Sequence, residues 1–186
     1  MPYPIGHSLF AWTAGTLLRR RSLSIDERGK ALWWSLLAVS PDFDFLLAWI
    51  THDYDIHRTA THSLITALFV GMLLAIIEFR SFNWKHGLFY GALIGSHGVL
   101  DWATTRFNGS GPELFWPITT KRFAFAKWAM PEFSLPGTPP AWHPVLELVE
   151  ICVVEILVFL PIFLLVTLAF WYWRQRQTTP IRLQNS

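Results

Sequence analysis

Cysteine is almost absent from this sequence. The 186 residues contain a single one, Cys152, which lies within the most apolar segment of the chain. One thiol excludes an intramolecular disulfide framework and a zinc site built from several thiolates. Any metal site in this protein therefore uses histidine and carboxylate ligands.

Charged residues are also scarce. They make up 15% of the chain, whereas soluble domains usually carry about 25%. Hydrophobic residues reach 52%, and the formal net charge is only +2. The few basic residues fall between apolar runs and form no basic face, so we expect no nucleic-acid partner. The composition instead indicates a membrane protein in contact with lipids.

Long apolar segments dominate the rest of the chain, and a helix needs about 20 mostly apolar residues to cross a bilayer. Five segments approach or reach this length, at residues 5–18, 31–50, 60–79, 84–105 and 144–173. They predict an all-α fold class, a polytopic membrane helix bundle with about five spanning helices.

The domain organisation follows from these segments. We expect one integral membrane domain over residues 1–176, followed by a short cytoplasmic tail at 177–186. Between the fourth and fifth spans, residues 107–143 are rich in proline, glycine and aromatic residues and predict a long external loop at the membrane interface.

The distribution of arginine and lysine predicts the orientation, because cytoplasmic loops are enriched in both. Basic residues gather after the first span, after the third span and in the tail, at Arg19, Arg20, Arg21, Arg28, Lys30, Arg80, Lys85, Arg174, Arg176 and Arg182. These three places share one side of a five-span chain. We therefore place the N-terminus outside and the C-terminus in the cytoplasm.

Ionisable residues occur within the spans or at their ends, although each costs roughly 2.5 to 3.5 kcal/mol inside a span. They are His7, Asp42, Asp44, His57, His62, His97, Asp101 and Glu147. In the orientation set by arginine and lysine, all of them fall in the outer half of the bilayer. This shared depth predicts a single cluster that faces the outer side.

The spacing of these residues suggests how they come together. His97 and Asp101 are four apart and therefore lie on one helix face, as two ligands of one ion require. Asp42 and Asp44 are two apart and would point to nearly opposite faces of a regular helix. Pro41 disturbs that helix and could let both approach one site; alternatively, the two aspartates cap a helix that is broken after Pro41.

The candidate metal ligands are His7, Asp42, His57, His62, His97 and Asp101. Nitrogen and oxygen ligands without sulfur suit zinc, or manganese and similar ions where oxygen predominates. We therefore expect one or more divalent ions as the cofactor, with zinc first. The candidate catalytic residues are Arg58, which would hold a phosphate through two hydrogen bonds, and Asp44 and Glu147, as general base or additional ligand.

Five motifs follow one another along the chain: GHSLF from Gly6, SPDFD from Ser40, HRTATHS from His57, IGSHGVLDW from Ile94 and LFWP from Leu114. In this order they resemble the motifs of the YdjM-like family, predicted membrane-bound metal-dependent hydrolases of bacteria. The family is in turn similar to zinc-dependent bacterial phospholipase C in its spaced histidine and aspartate pattern.

The resemblance implies a position in the bacterial inner membrane and assigns roles to individual residues. His7, Asp42, His62, His97 and Asp101 match the presumed metal ligands, and Asp44, His57 and Glu147 match the polar residues around them. The chain departs from the family pattern at Phe45, where histidine often follows PDxD, and at Thr59, where glycine often follows HR. The first departure removes a ligand and leaves the metal count open.

Two functions are compatible with these features. The first is a membrane-bound metal-dependent hydrolase, acting on a phosphoester in a lipid or lipid-linked substrate. The second is a non-enzymatic membrane protein with a structural or transport metal site. A transporter would need a polar path to the cytoplasmic side, and the inner halves of the spans have few ionisable residues, which favours the enzyme.

Overall fold

The computed structural model describes residues 4–19, 28–105, 111–125 and 143–178, and these contain helices and turns but no strand. The helices are α1 (Pro4–Arg19), α2 (Arg28–Val39), α3 (Asp44–Thr51), α4 (Leu64–Phe79), α5 (Trp84–Thr104) and α6 (His143–Thr178). Short 3-10 turns occupy Ser40–Phe43, Tyr54–Ile56 and Ala60–His62. The all-helical fold class is confirmed for this part of the chain, and each of the five predicted segments is helical.

Two stretches are long and apolar enough to cross a membrane, Gly29–Thr51 and Leu148–Trp173. Leu64–Phe79 is apolar but shorter. Only a small share of Leu148–Trp173 is buried within the protein, and large side chains such as Leu157 and Leu165 are exposed along it. An apolar surface of this kind suits contact with lipid. Five membrane crossings remain a prediction.

Two segment boundaries differ from the sequence-based expectation. The segment expected as one span over 31–50 is interrupted at Ser40–Phe43, where Pro41 stands at the start of a 3-10 turn. The segment expected from residue 60 becomes α-helical only at Leu64, because the Ser63 side chain accepts hydrogen bonds from the backbone N–H groups of Ile65 and Thr66 and so caps the helix. Both interruptions lie beside the candidate ligands.

Helices α4 and α5 make the closest pairing of the bundle, and glycine allows it. A Cβ atom on Gly71 of α4 would lie 2.2 Å from the backbone nitrogen of Gly91 on α5. Small residues at such crossings let two helix backbones approach. Beside this contact, an apolar core packs around Trp34, Leu93 and Ile94.

Part of the predicted external loop packs onto the rest of the protein. The Leu114 carbonyl accepts a hydrogen bond from the Leu64 backbone N–H at 3.0 Å, and the Trp116 carbonyl accepts one from the Ser63 hydroxyl at 2.6 Å. Residues 111–125 therefore cover the start of α4. The rest of the predicted loop up to 142, like the tail after 178, lies outside the described residues.

Candidate metal centre

Five of the candidate ligands converge on one point of the bundle, and we call them the His/Asp cluster. They are His7 of α1, Asp42 of the turn before α3, His62 of the turn before α4, and His97 and Asp101 of α5. The three histidines and Asp101 are at most 1% exposed. Only Asp42 is partly accessible, with 20% of its side chain exposed.

Two local features of the sequence bring His62 to the cluster. The 3-10 turn Ala60–His62 ends where Ser63 caps α4, which turns the His62 side chain into the bundle before the helix begins. The second feature is Gly98 of α5, which lies against the His62 backbone. A Cβ atom on Gly98 would be 2.2 Å from the His62 carbonyl oxygen. The glycine therefore makes room for the turn.

His97 shows which of its nitrogen atoms is available to an ion. Its Nδ1 lies 2.7 Å from the Ala38 carbonyl oxygen, which can only accept, so Nδ1 carries a proton and donates it. In the neutral ring Nε2 then has a free lone pair, yet it faces Asp42 Oδ1 at 3.1 Å. Two lone pairs that face each other at this distance require a proton or a metal ion between the two atoms.

Asp101 is the most unusual member of the cluster. Its carboxylate is fully buried, and neither oxygen receives a hydrogen bond from the described residues. Oδ2 lies 3.5 Å from His62 Nε2 and 3.9 Å from His97 Nε2, and Oδ1 lies 3.7 Å from His7 Nε2. Burial of a carboxylate without hydrogen bonds is costly unless a cation compensates it.

These separations suit atoms that share a metal ion. Zinc ligands lie about 2.0 to 2.1 Å from the ion, so two tetrahedral ligands are about 3.3 Å from each other. The relevant contacts of Asp42 and Asp101 with His62 and His97 range from 3.1 to 3.9 Å. They are mostly too long for good hydrogen bonds but close to the ligand spacing. The buried His/Asp groups could therefore hold a metal ion.

Asp44 lies beside His62 Nδ1, on the side of the ring away from the cluster. Its Oδ1 accepts a hydrogen bond from His57 Nδ1 at 2.7 Å, and its Oδ2 accepts a short one from the Thr61 hydroxyl. Since that hydroxyl donates its only proton to Asp44, its contact of 3.0 Å with His62 Nδ1 requires His62 to donate. His62 Nε2 is then left with a lone pair toward the cluster. Outer contacts of this kind orient metal-binding histidines.

His57 remains a candidate ligand, because donation from Nδ1 leaves Nε2 with a lone pair. This buried Nε2 has no hydrogen-bond partner in the described part of the chain. Ligand atoms of His57, His62 and Asp42 lie within 4.8 Å of one another.

The His62 imidazole is strongly influenced by its neighbours when no metal is bound. It precedes the apolar helix α4, in the turn Ala60–His62. Its Nδ1 lies 3.5 Å from Asp44 Oδ2, and its Nε2 lies 3.7 Å from Asp42 Oδ1 and 3.5 Å from Asp101 Oδ2. Nε2 can bind a metal ion only when it carries no proton.

Comparison with known proteins identifies the family. The family model described as YdjM inner membrane protein matches residues 1–178. This chain belongs to that family. No curated protein and no solved structure gives a significant match. Membership supports an inner-membrane location, whereas nothing supports the similarity to zinc phospholipase C beyond the sequence motifs.

The three predicted catalytic residues have different surroundings in this member of the YdjM family. Arg58 is buried, with a left-handed backbone at φ 67°, and its carbonyl accepts a hydrogen bond from Glu113 N–H at 2.9 Å. Asp44 already accepts from two side chains. Glu147 lies on α6, but its side chain is outside the described part of the structure.

Two residues near the cluster were not predicted from the sequence. Thr61 connects Asp44 with His62, and its only signal was its place inside HRTATHS. Glu155 of α6 is 1% exposed, and its carboxylate lies against Gly6, the neighbour of His7. A Cβ on Gly6 would lie 2.8 Å from Glu155 Oε1. A glutamate in an otherwise apolar span was the signal for it.

Proposed function

We propose that this protein is a membrane-bound metal-dependent hydrolase that cleaves a phosphoester in a lipid or lipid-linked substrate. The observation that carries the proposal is Asp101, a fully buried carboxylate without hydrogen-bond donors among the described residues, which faces three imidazoles. A divalent cation accounts for this arrangement, because it compensates the buried carboxylate charge and uses the nitrogen lone pairs that face it.

The ligand set supports zinc as the first candidate. His62, His97, Asp42 and Asp101 offer two nitrogen and two oxygen donors, a mixture that zinc accepts in proteins. The two histidines are held by the contacts of their Nδ1 atoms, so that their Nε2 atoms are oriented in advance. A divalent ion held here with one position left open to water would lower the pKa of that water and stabilise the charge on a phosphoryl oxygen.

The accessible side of the cluster indicates where the substrate would enter. His7, His97 and Asp101 are closed off, whereas the Asp42 side chain is 20% exposed and His57 is 12% exposed. We place the scissile phosphoester on this side, with Arg58 holding the phosphate. Asp44 accepts hydrogen bonds with both oxygens, so it suits the positioning of His57 and His62 better than proton transfer, and Glu147 remains the other candidate base.

The membrane setting favours a lipid or lipid-linked substrate. The exposed surfaces of α3 and α6 are apolar, with Trp49, Ile50 and Leu157 all more than 60% exposed. A lipid that moves in the plane of the bilayer could reach the cluster without leaving it. The outward orientation of the site remains an inference from arginine and lysine.

The alternative function is a structural or transport metal site without catalysis. Transport across the bundle requires polar groups beyond the cluster. The next buried polar residue of α5 toward its N-terminus is Ser96, but its hydroxyl donates to the Leu93 carbonyl of the same helix at 2.6 Å. Beyond Ser96 and Gly95 lie Ile94 and Leu93. They pack with Trp34 and Leu37 in an apolar core. This core argues against a path for ions through the described helices. A structural site would hold metal but would cleave no substrate.

Metal analysis combined with an activity panel tests the proposal. Protein purified in detergent should retain zinc or a similar ion, and the double variant His97→Ala with Asp101→Ala should lose most of it. A matched control is His52→Asn with Asp53→Asn, which changes an exposed histidine and aspartate outside the cluster. The panel should contain phospholipids, lipid-linked phosphates and soluble phosphomonoesters.

The outcomes separate the alternatives. Loss of both metal and hydrolysis in the cluster variant but not in the control supports the enzyme. Full metal retention in the cluster variant would show that the site is misplaced. Bound metal without cleavage of any substrate would favour the structural site.

A further inference from the structure

The His/Asp cluster contains a pair of stacked imidazoles. The rings of His7 and His97 have centroids 3.7 Å apart and are inclined by only 10°. Each ring belongs to a different helix, so the stack does not follow from sequence proximity. It restricts how the two histidines can bind metal.

The lone pair of an imidazole nitrogen lies in the plane of its ring, and a metal ion therefore binds close to that plane. Two nearly parallel rings that stack face to face have planes that do not meet near their nitrogen atoms. An ion in the plane of His97, about 2.0 to 2.1 Å from Nε2, lies well outside the plane of His7. His7 and His97 are therefore poorly arranged to share one ion.

Asp101 is placed to bridge two ions. Its Oδ2 faces His62 Nε2 and His97 Nε2, while its Oδ1 faces His7 Nε2 at 3.7 Å. Both oxygens are buried and receive no hydrogen bond from the described residues. A bridging carboxylate uses one oxygen for each ion. This matches the arrangement of the histidines, because His62 and His97 face one oxygen of Asp101 and His7 faces the other.

We propose that the cluster binds two divalent ions bridged by Asp101, one held by His62, His97 and Asp42, the other by His7. Two ions that each lie in the plane of one ring, with ring centroids 3.7 Å apart, can have the separation of about 3.5 to 4 Å found in two-metal hydrolytic sites. The inference rests on the proposed function and makes it more specific: a pair of ions suits a phosphate ester, whose attacking and leaving oxygens can both be stabilised.

The experiment counts ions without requiring activity. The purified full-length protein is stripped with a chelator and reloaded with Mn²⁺, and bound manganese per chain is measured by mass spectrometry. Paramagnetic resonance then reports whether two ions are magnetically coupled. We expect two ions per chain with a coupled signal, and one ion with an uncoupled signal in His7→Ala. Asp101→Asn should lose the coupling.

Controls keep the result interpretable. His52→Asn should bind as the unaltered protein does, and circular dichroism in detergent checks the fold of every variant. If His7→Ala does not fold, His7→Gln replaces it. The number of ions and their magnetic coupling in the unaltered protein test the inference even if neither variant folds.

Three results would overturn the inference in different ways. If the unaltered protein binds one ion and His7→Ala still binds it, the inference is wrong, and the proposed hydrolase has a single-ion site. Absence of any bound ion contradicts both the inference and the proposed function. Two ions that survive His7→Ala, with one lost in His57→Ala, would place the second ion beside His57 instead.

Discussion

At the scale of single residues, the cluster depends on groups that fix imidazole rings as much as on the groups that face an ion. Ala38 and Thr61 hold the Nδ1 atoms of His97 and His62. Each contact leaves Nε2 with its lone pair toward the cluster. Asp44 likewise contacts two histidines, since its Oδ1 lies beside His57 Nδ1 and its Oδ2 lies beside His62 Nδ1.

Thr61 provides a test of this arrangement. Thr61→Val keeps the size of the side chain but removes the hydroxyl, so His62 loses the contact that selects its tautomer. We expect metal affinity to fall by about 10- to 100-fold, as for other outer contacts of metal-bound histidines. Competition with a fluorescent chelator measures the change. Thr61→Ser, which keeps the hydroxyl, should retain most of the affinity, and equal affinity in both variants would contradict the role of Thr61.

Arg58 separates substrate binding from metal binding, because a guanidinium does not ligate a cation. Arg58→Ala should leave metal content unchanged and lower hydrolysis by about 10² to 10³, the effect of removing one donor to the transition state. Arg58→Lys should restore only part, since an ammonium lacks the planar two-point contact. Turnover of a cleaved phosphoester, measured beside metal content, reports both effects.

The backbone of Arg58 requires a control of its own. Its φ of 67° is unfavourable for most side chains. Arg58→Asn tolerates this conformation and lacks the charge, so it should resemble Arg58→Ala. If Asn restored activity, backbone strain rather than the lost guanidinium would explain the defect.

At the scale of elements, the site depends on breaks in helices. The 3-10 turn at Ser40–Phe43 lets Asp42 face His97 while Asp44 faces His57. The turn Ala60–His62 presents His62 just before α4. Continuous helices through either segment would separate these side chains.

The contact between Gly98 and the second of these turns can be tested. Gly98→Ala places a Cβ where the His62 carbonyl stands, 2.2 Å away, so α5 and the turn must move apart. We expect a loss of about 1 to 3 kcal/mol in stability, as for other overpacked contacts, together with weaker metal binding. Thermal unfolding in detergent and zinc titration measure the two effects.

Gly29→Ala is the matched control for Gly98→Ala. A Cβ on Gly29 meets no atom within 4 Å, and alanine favours a helix. This variant should bind zinc normally. If both glycine variants kept full affinity, the close approach of α5 would be unimportant for the site.

At the scale of the whole molecule, the His/Asp cluster and a cavity lie at different ends of α4. A cavity of about 430 Å³ is lined by Lys30 and Trp33 near the start of α2, by Glu78 near the end of α4 and by Tyr90 of α5. The apolar core around Leu93 separates it from the cluster. If α4 and α5 cross the membrane, as the sequence predicts, the cavity and the cluster face opposite sides of it.

Labelling with an impermeant thiol reagent tests the orientation. In a Cys152→Ala background, Thr120→Cys lies in the segment that covers the start of α4, and Ser81→Cys lies between α4 and α5; both positions are exposed. The basic-residue asymmetry predicts that intact cells label Thr120→Cys and not Ser81→Cys. Permeabilised cells, in which both should react, provide the control. The reverse pattern would place the cluster on the cytoplasmic side.

The sequence alone determined the helical class, the five helical segments and the residue types of the cluster. Apolar runs can be read from composition, and the energetic cost of a buried histidine or aspartate marks those residues as special wherever they fold. The spacing of His97 and Asp101 also placed them correctly on one helix face, because that relation is local.

Only the tertiary structure separated Asp42 from Asp44. Both follow Pro41, and nothing local distinguishes a side chain that faces His97 from one that binds His57 and Thr61. The stacking of His7 on His97 and the approach of Gly98 to His62 likewise join distant segments. Such contacts depend on how whole helices pack, and neither periodicity nor composition carries that information.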